Sequence, residues 1–314
     1  MRTTHILGAA AALAFAATTA FAECTPSKWG ADDTIGSANL VTPERTLEAA
    51  KLIKQGKSLP LGITIGPDTP AFPPRTLSLQ VVQPNQQGGQ KLSGFGYEGN
   101  YNDDLLQTWI GIGSQLDGLG HLGENGKYYN CLDEKEISVI TGLTKLGTHA
   151  VPPLVGRGVV LDMAGQAGVE MLEPGQNFGS EEIKAAAAAQ NVEIGEGDIV
   201  IFYTGWTDGM LEKSPQLWGQ VEPGLTNEGA VYMASLNPIA VGADTWGLEA
   251  VPPAEGDKVF YGHVTLLKDH GIYILETMNV GPLVAEGVSE FMFVLGQPRI
   301  RGTVQAMINP VALY

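Results

Sequence analysis

Gly197-Asp-Ile-Val-Ile-Phe-Tyr203 decides the fold class of this chain, because its apolar side chains follow one another without polar interruption. The stretch Gly158-Val-Val-Leu-Asp-Met163 has the same character. Short continuous apolar runs, as opposed to alternating ones, predict strands that are buried on both faces of a sheet. Three further runs predict strands of the same kind: Ile239–Gly242, Gly271–Leu275 and Phe291–Leu295.

Helix signals alternate with these strands. Thr42-Pro43 predicts an N-cap followed by proline at the first helical position, with a helix that runs to about Gly56. Ser180 predicts a second N-cap, and Thr226 predicts a third, for a helix that extends through Leu236. The Pro- and Gly-rich residues 58–85 predict loops and one strand around Leu77–Val82. This alternation predicts an α/β fold with mixed sheets, and no shift in composition divides it into separate domains.

The first 22 residues have the pattern of a Sec-type signal peptide. A charged start precedes the apolar run Ile6–Phe15, and Ala20-Phe-Ala22 fits a small-x-small cleavage site. The alternative is an alanine-rich first helix of the domain. We therefore expect a signal peptide over residues 1–22, a single domain over residues 23–314, and a periplasmic or secreted protein. No later segment is long and apolar enough to cross a bilayer.

Charge and cysteine content narrow the possible partners. The chain has 34 acidic against 18 basic residues and a net charge of −16, which excludes nucleic acid as a natural partner. We expect a small-molecule partner and no membrane partner. Cys24 and Cys131 are the two cysteines. After export they either form a disulfide or remain two thiols.

Gly113-Ser-Gln-Leu-Asp-Gly-Leu-Gly-His121 carries the first candidate chemistry. Asp117 lies among glycines with few charges nearby. Such a carboxylate either faces a cation or organises the loop as an Asx turn. Glu276 ends the apolar run 271–275, where α/β folds usually place ligands, although a solvent-facing strand end is the alternative.

Few histidines follow the expected signal peptide, so each can be assessed separately as a structural or a functional residue. A single histidine is more often structural than catalytic. His270 lies in a turn, and neither it nor His149 receives a role. His121 and His263 remain candidates. The sequence shows no Gly-x-Ser-x-Gly nucleophile turn, no Walker loop and no dinucleotide-binding fingerprint.

Nearly all of residues 23–314, including these candidate residues, resembles the cyclase family of metal-dependent hydrolases. This family includes bacterial kynurenine formamidases, isatin hydrolase and trans-dienelactone hydrolase. The opening Trp29-Gly-Ala-Asp-Asp-Thr-Ile-Gly, the two central strands, and the segments from Gly262 to Glu276 and from Phe291 to Gly302 carry the likeness. The resemblance implies a swivelling β/β/α domain with mixed sheets, assembled as a homodimer or homotetramer.

The family signature, His-x-Gly-Thr-His-x-Asp-x-Pro-x-His, matches residues 111–121 in part. Its aspartate and last histidine fall on Asp117 and His121, but its first two histidines fall on Gly111 and Gln115. In two-metal members those two histidines help to bind one metal. The resemblance therefore implies one metal ion here, held by Asp117, His263 and Glu276, with Gln115 adding an amide oxygen. Such a set suits Zn²⁺ or Mn²⁺.

The resemblance implies a hydrolase that opens or cleaves a small cyclic amide, formamide or lactone with an activated water. His121 is the expected general acid and base. Trp109, Trp206 and Trp246 are more often core than ligand platform, yet Trp109, Tyr128 and Trp206 are also candidates to line a pocket for a flat substrate. The alternative function is a catalytically silent, exported small-ligand-binding protein on the same scaffold.

Overall fold

The computed structural model describes residues 24–82, 96–97, 99 and 102–314, so the expected signal peptide lies outside the described residues. Within these ranges the chain forms strands and helices in alternation. The strands are β1 (Ser58–Pro60), β2 (Leu77–Val82), β3 (Asp103–Thr108), β4 (Gln115–Asp117), β5 (Ser138–Val139), β6 (Gly142–Leu143), β7 (Leu154–Asp162), β8 (Asn177–Phe178), β9 (Ile199–Tyr203), β10 (Gly224–Leu225), β11 (Ala240–Ala243), β12 (Tyr273–Glu276), β13 (Glu290–Leu295), β14 (Gln305–Met307) and β15 (Val311–Leu313).

The helices are mostly short. The α-helices are α1 (Pro43–Ala50), α2 (Glu134–Ile137), α3 (Met163–Gln166), α4 (Ser180–Ala189), α5 (Trp206–Met210), α6 (Pro215–Trp218), α7 (Asn227–Ser235), α8 (Tyr261–His263) and α9 (Gly281–Ala285). Single 3-10 turns lie at Gly36–Leu40, Tyr129–Cys131 and Thr148–Ala150, and a π-helix at Val264–Asp269 continues α8. No helix among the described residues has the length and apolar character of a bilayer span.

A nine-stranded mixed sheet holds the fold together, in the order β1-β15-β13-β7-β9-β11-β12-β4-β14. The central strands β7, β9, β11 and β12 are parallel, while β4 and β13 run antiparallel to their neighbours. Small two-stranded sheets pair β2 with β3, β5 with β6, and β8 with β10. The expected α/β fold with mixed sheets is confirmed.

The apolar runs form the centre of this sheet, as predicted. Val160, Ile201, Val241 and Leu275, one from each parallel strand, are fully buried, because helices and loops cover both faces. Their burial is what continuous apolar runs require. The parallel direction also places the carboxyl ends of these strands, including Glu276 at the end of β12, along one edge of the sheet.

Two helix boundaries differ from the sequence-based expectation. Helix α1 begins as predicted, with the Thr42 side chain accepting a hydrogen bond from the Arg45 amide, but it ends at Ala50 instead of Gly56. The amides of Gln55 and Lys57 donate to the Tyr314 carbonyl, so the chain leaves the helix to pair with its own C-terminus.

The N-cap of helix α4 lies one residue earlier than expected. Gly179 is the N-cap, and Ser180 is the first helical residue. The Glu182 carboxylate accepts from the Gly179 amide at 2.9 Å. Thr226 caps α7 as predicted, and its side chain accepts from the Gly229 amide.

The two cysteines form a disulfide, Cys24–Cys131, with 5.4 Å between the Cα atoms. It joins the N-terminal segment 24–33 to the turn at residues 129–131. Asn130 strengthens this attachment, because its side-chain nitrogen donates to the carbonyls of Gly30, Ala31 and Asp33. The disulfide, one of the two alternatives that the sequence left open, is therefore the one found.

Replacing both cysteines, in Cys24→Ser/Cys131→Ser, should lower the free energy of unfolding by about 2–4 kcal/mol, because the disulfide closes a loop between residues 107 positions apart. Urea titration of the variant and of the oxidised wild type measures the difference. Reduced wild type should unfold like the variant. Identical midpoints for the oxidised wild type and the variant would contradict a stabilising bridge.

Candidate metal centre

Strand β4 brings the 115–117 segment into the sheet beside the end of β12. The antiparallel register sets Gln115 opposite Glu276 and Asp117 opposite Ile274. On the other side of β4, the strand β14 sets Gln305 opposite Asp117. This pairing places side chains that are 161 positions apart in contact, and the amide nitrogen of Gln115 donates to the Glu276 carboxylate.

Glu249 holds His263 in place at the end of α8. Its carboxylate accepts from the backbone amides of Gly262 and His263, each at 2.8 Å, and its Oε1 lies 2.7 Å from His263 Nδ1. The Nε2 atom of His263 therefore faces the other way. It lies 3.2 Å from Glu276 Oε1 and 3.6 Å from Asp117 Oδ2.

Asp117, His263 and Glu276 form a cluster that could hold a metal ion. One potential ligand atom from each lies within 4.8 Å of the others, and all three residues are buried. Asp117 Oδ2 has no hydrogen-bond partner, and an unpaired buried carboxylate oxygen is costly unless a cation faces it. Two carboxylates and one imidazole match the donors that Zn²⁺ and Mn²⁺ accept. The residues present therefore fit a divalent metal.

The pKa values of the cluster follow from its burial and its mixed charges. Burial raises the pKa of Asp117, but the charges of His121 and His263 outweigh burial and leave it lowered. Burial and the charge of Asp117 raise the pKa of Glu276. Burial lowers the pKa of His263, but the nearby Asp117 carboxylate and the hydrogen bonds of His263 to Glu249 and Glu276 raise it well above its usual value. With a raised pKa, His263 carries an extra proton. A metal ion that enters the cluster would displace this proton, since only a neutral imidazole binds a metal.

His121 lies beside the cluster without joining it. Its Nε2 atom is 3.6 Å from Asp117 Oδ2, and its side chain is 21% exposed. Burial lowers the pKa of His121 despite the nearby Asp117, so its imidazole is neutral near pH 7. A neutral imidazole at the edge of the cluster can accept a proton.

Gln115 is oriented as a donor. Its Nε2 atom points to the Glu276 carboxylate and lies 3.4 Å from Asp117 Oδ1. In this orientation Gln115 stabilises the two carboxylates as a hydrogen-bond donor. Its expected ligand role stays a prediction.

A cavity of about 220 Å³ opens onto the cluster. Phe72 stacks on Trp246 with 5.5 Å between ring centroids, and Phe260 packs edge-on against both Trp246 and His263. These rings form an aromatic wall above the carboxylates. The described lining residues are Phe72, Arg75, His121, Leu122, Trp246, Gly247, Phe260, His263 and Glu276.

The expected aromatic lining was wrong. Trp206 is fully buried, and its indole nitrogen donates to the Trp218 carbonyl. Trp109 follows β3 and is half exposed, and Tyr128 packs partly buried against the hydrophobic core. Trp246, in contrast, is a wall of the cavity instead of a core residue. The local sequence could not distinguish core aromatic residues from those in the cavity wall, because each of them lies among similar glycine and polar residues.

Sequence reasoning also missed Glu249 and Gln305. Glu249 is the only charged residue in the segment 245–253, and a lone carboxylate in an uncharged run was the available signal. Gln305 donates to Asp117 Oδ1 at 2.7 Å, but nothing local marks this glutamine. His149 accepts a hydrogen bond from the Gly302 amide, which agrees with a structural role.

Comparison with known proteins gives one family and several related structures. The Cyclase family model matches residues 59–250. No curated protein matches the chain. A cyclase of known crystal structure is 28% identical, with a TM-score of 0.81, and the alignment covers 92% of this chain and 98% of that one.

Two more distant structures share the fold. Isatin hydrolase A from Ralstonia solanacearum is 15% identical, with a TM-score of 0.62 and coverage of 87% of this chain and 97% of that one. A predicted metal-dependent hydrolase from Bacillus stearothermophilus is 15% identical, with a TM-score of 0.52 and coverage of 82% and 97%. At such identities the likeness establishes the fold alone.

Asp117→Asn should abolish stoichiometric Zn²⁺ binding, because it removes the anionic oxygen that has no partner in the cluster. Elemental analysis after dialysis against Zn²⁺ measures the ion content, and circular dichroism checks the fold. Asp32→Asn, a change at an exposed aspartate, is the matched control and should bind like wild type. Full Zn²⁺ content in folded Asp117→Asn would disprove this ligand assignment.

Glu249→Gln should weaken Zn²⁺ affinity by about 10–100-fold, because a neutral amide holds the His263 ring less firmly than a carboxylate does. Titration calorimetry measures the dissociation constant. Glu286→Gln changes a surface ion pair with Lys57 and serves as the control. Equal affinity for Glu249→Gln and wild type would show that Glu249 does not position His263.

Proposed function

This chain belongs to the Cyclase family, and we propose that it is an exported metal-dependent hydrolase that opens or cleaves a small cyclic amide, formamide or lactone. One observation carries the proposal. Asp117, His263 and Glu276 converge around a buried unpaired oxygen of Asp117, and His263 and Glu276 line an aromatic cavity. The related structures described as hydrolases support the same class.

The proposed cofactor is one divalent ion, Zn²⁺ or Mn²⁺, held by Asp117, His263 and Glu276. When bound, such an ion would supply an acidified water and a polarised carbonyl. Glu249 keeps the His263 Nε2 atom directed at the two carboxylates, and Gln305 anchors Asp117 from β14. These positioning contacts limit the motion of the ligands, which lowers the cost of organising the site.

The chain's own residues supply the proton transfer and the orientation of the substrate. The His121 imidazole, kept neutral by burial, takes a proton from the attacking water and returns it to the leaving nitrogen or oxygen. Phe72, Trp246 and Phe260 offer a flat apolar wall that orients a planar substrate and excludes bulk water.

We also propose that the protein works outside the cytoplasm as one domain, residues 23–314, after removal of residues 1–22. The Cys24–Cys131 disulfide supports export, because such bonds persist in oxidising compartments. Pairing of β1 with the C-terminal strand β15 in one sheet supports the single domain.

A homodimer or homotetramer is the proposed assembly. Strands β2 and β3 form a two-stranded sheet separate from the main sheet, and Leu79 and Leu106, which face each other across it, are each 51% exposed. An isolated two-stranded hairpin is marginally stable in water, so a second copy that covers these side chains would stabilise it.

His121→Ala should retain Zn²⁺ but lose about 10²–10⁴-fold in kcat, because the proton carrier is removed while the metal cluster is left intact. A screen of isatin, an N-formylated aromatic amine and an aromatic lactone, with Zn²⁺ or Mn²⁺ added, identifies the substrate for this comparison. His270→Ala, at an exposed histidine directly after the π-helix Val264–Asp269, is the matched control.

A wild-type rate in His121→Ala would remove this residue from the chemistry. Failure of the metal-loaded wild type to hydrolyse any compound of the screen, combined with tight binding of one of them, would favour the catalytically silent binding protein instead.

A further inference from the structure

The space beside Gly111 is filled by two side chains from elsewhere in the fold. A Cβ atom at Gly111 would lie 2.6 Å from Arg75 Nη1, 2.9 Å from Arg75 Cζ and 2.8 Å from Gln305 Oε1. The Arg75 Nη1 atom donates to the Gly111 carbonyl at 2.7 Å. Any side chain at position 111 would therefore have to displace the guanidinium, and glycine here makes room for it.

Little volume remains between Arg75, Gly111 and Gln115. The void that these residues line measures about 10 Å³, which is the volume that a single water needs. Gln305 closes the other side, because its Nε2 atom donates to Asp117 Oδ1. The positions where the family signature carries two histidines thus border a fixed organic cation instead of open space.

Arg75 also faces the substrate cavity. Among the described residues that line this cavity, it is the only lysine or arginine, and it lies next to the wall formed by Phe72, Trp246 and Phe260. A guanidinium keeps its charge at every physiological pH and presents planar N–H donors that match a carboxylate. An aromatic wall beside a fixed planar cation is complementary to a flat ring that carries an anionic group.

The charges around the cavity set the conditions for this recognition. Glu276, which lines the cavity, and Asp117 beside it repel an anion, and the divalent ion of the proposed function would offset their charge. His121 and His263 face the same space. Arg75 is therefore the protein's own fixed positive charge at the cavity, in addition to any bound ion.

We propose that Arg75 is a specificity-determining residue, whose guanidinium binds a carboxylate on a small aromatic substrate that packs against Phe72, Trp246 and Phe260. The proposal rests on the proposed function, since it takes the ligand of this cavity to be the substrate. It narrows the substrate class from any cyclic amide, formamide or lactone to aromatic ones that carry an anionic group.

Binding of benzoate and of its neutral analogue benzamide to the Zn²⁺-loaded protein tests this role, with calorimetry as the readout. Wild type should prefer benzoate. Arg75→Met, which keeps an apolar stem but removes the charge, should weaken benzoate binding by about 10–100-fold and leave benzamide binding nearly unchanged. Arg75→Lys should fall between the two, because an ammonium supplies charge without the planar pair of donors.

Two further variants separate this role from a structural one. Gly111→Ala should also weaken benzoate binding although Arg75 is still present, because the added methyl group displaces the guanidinium. Arg301→Met, at an exposed arginine, should bind both probes like wild type. Zn²⁺ content and circular dichroism show whether each variant is loaded and folded. If Arg75→Met fails either check, Arg75→Lys and Gly111→Ala decide the question.

Equal affinity of wild type for benzoate and benzamide would overturn the proposal. So would unchanged benzoate binding in folded, Zn²⁺-loaded Arg75→Met, or in both Arg75→Lys and Gly111→Ala. These measurements do not depend on turnover. A protein that hydrolyses nothing but prefers benzoate through Arg75 would contradict the proposed function and leave only the carboxylate-binding role of Arg75 standing.

Discussion

The antiparallel pairing of β4 with β12 is the interaction on which the site depends. It fixes Gln115 beside Glu276. Asp117 lies two residues further along β4, and its carboxylate faces His263. Because successive side chains on a strand point to opposite faces, a slip of one residue would turn Asp117 away from the cluster. The backbone pairing of this short strand with β12 and β14 therefore positions the carboxylates.

The buried charge at this edge of the sheet is costly for folding. Asp117, Glu249 and Glu276 surround one imidazole, and burial raises the pKa of two more carboxyl groups, Glu222 and Asp244. Removing several carboxylates from water is compensated only by cations and hydrogen bonds. The His263 proton and the donors of Gln115 and Gln305 supply part of that compensation. The unpaired Asp117 Oδ2 marks the part that a divalent ion would supply.

Arg75 and Gln115 occupy the region where the family signature carries two histidines. At Gly111 the absence of a side chain makes room for the Arg75 guanidinium, and the Gln115 amide nitrogen donates to the Glu276 carboxylate. The protein's own hydrogen-bond donors therefore fill this side of the cluster. Under the two proposals above, this arrangement goes with a single ion and with an anion site at Arg75.

The sequence by itself predicted the α/β class and the strands β2, β7, β9, β11, β12 and β13, and it singled out Asp117, His263 and Glu276, which the fold brings together. These features can be recognised in a short stretch of sequence, because a buried strand requires apolar side chains at consecutive positions. The role of His121 stays a prediction. Only the tertiary structure decided which aromatic rings line the cavity, that α1 stops at Ala50, and that Glu249, Gln305 and Arg75 surround the cluster. Strand order and register create those contacts between distant positions, and neither is encoded in the spacing of any single segment.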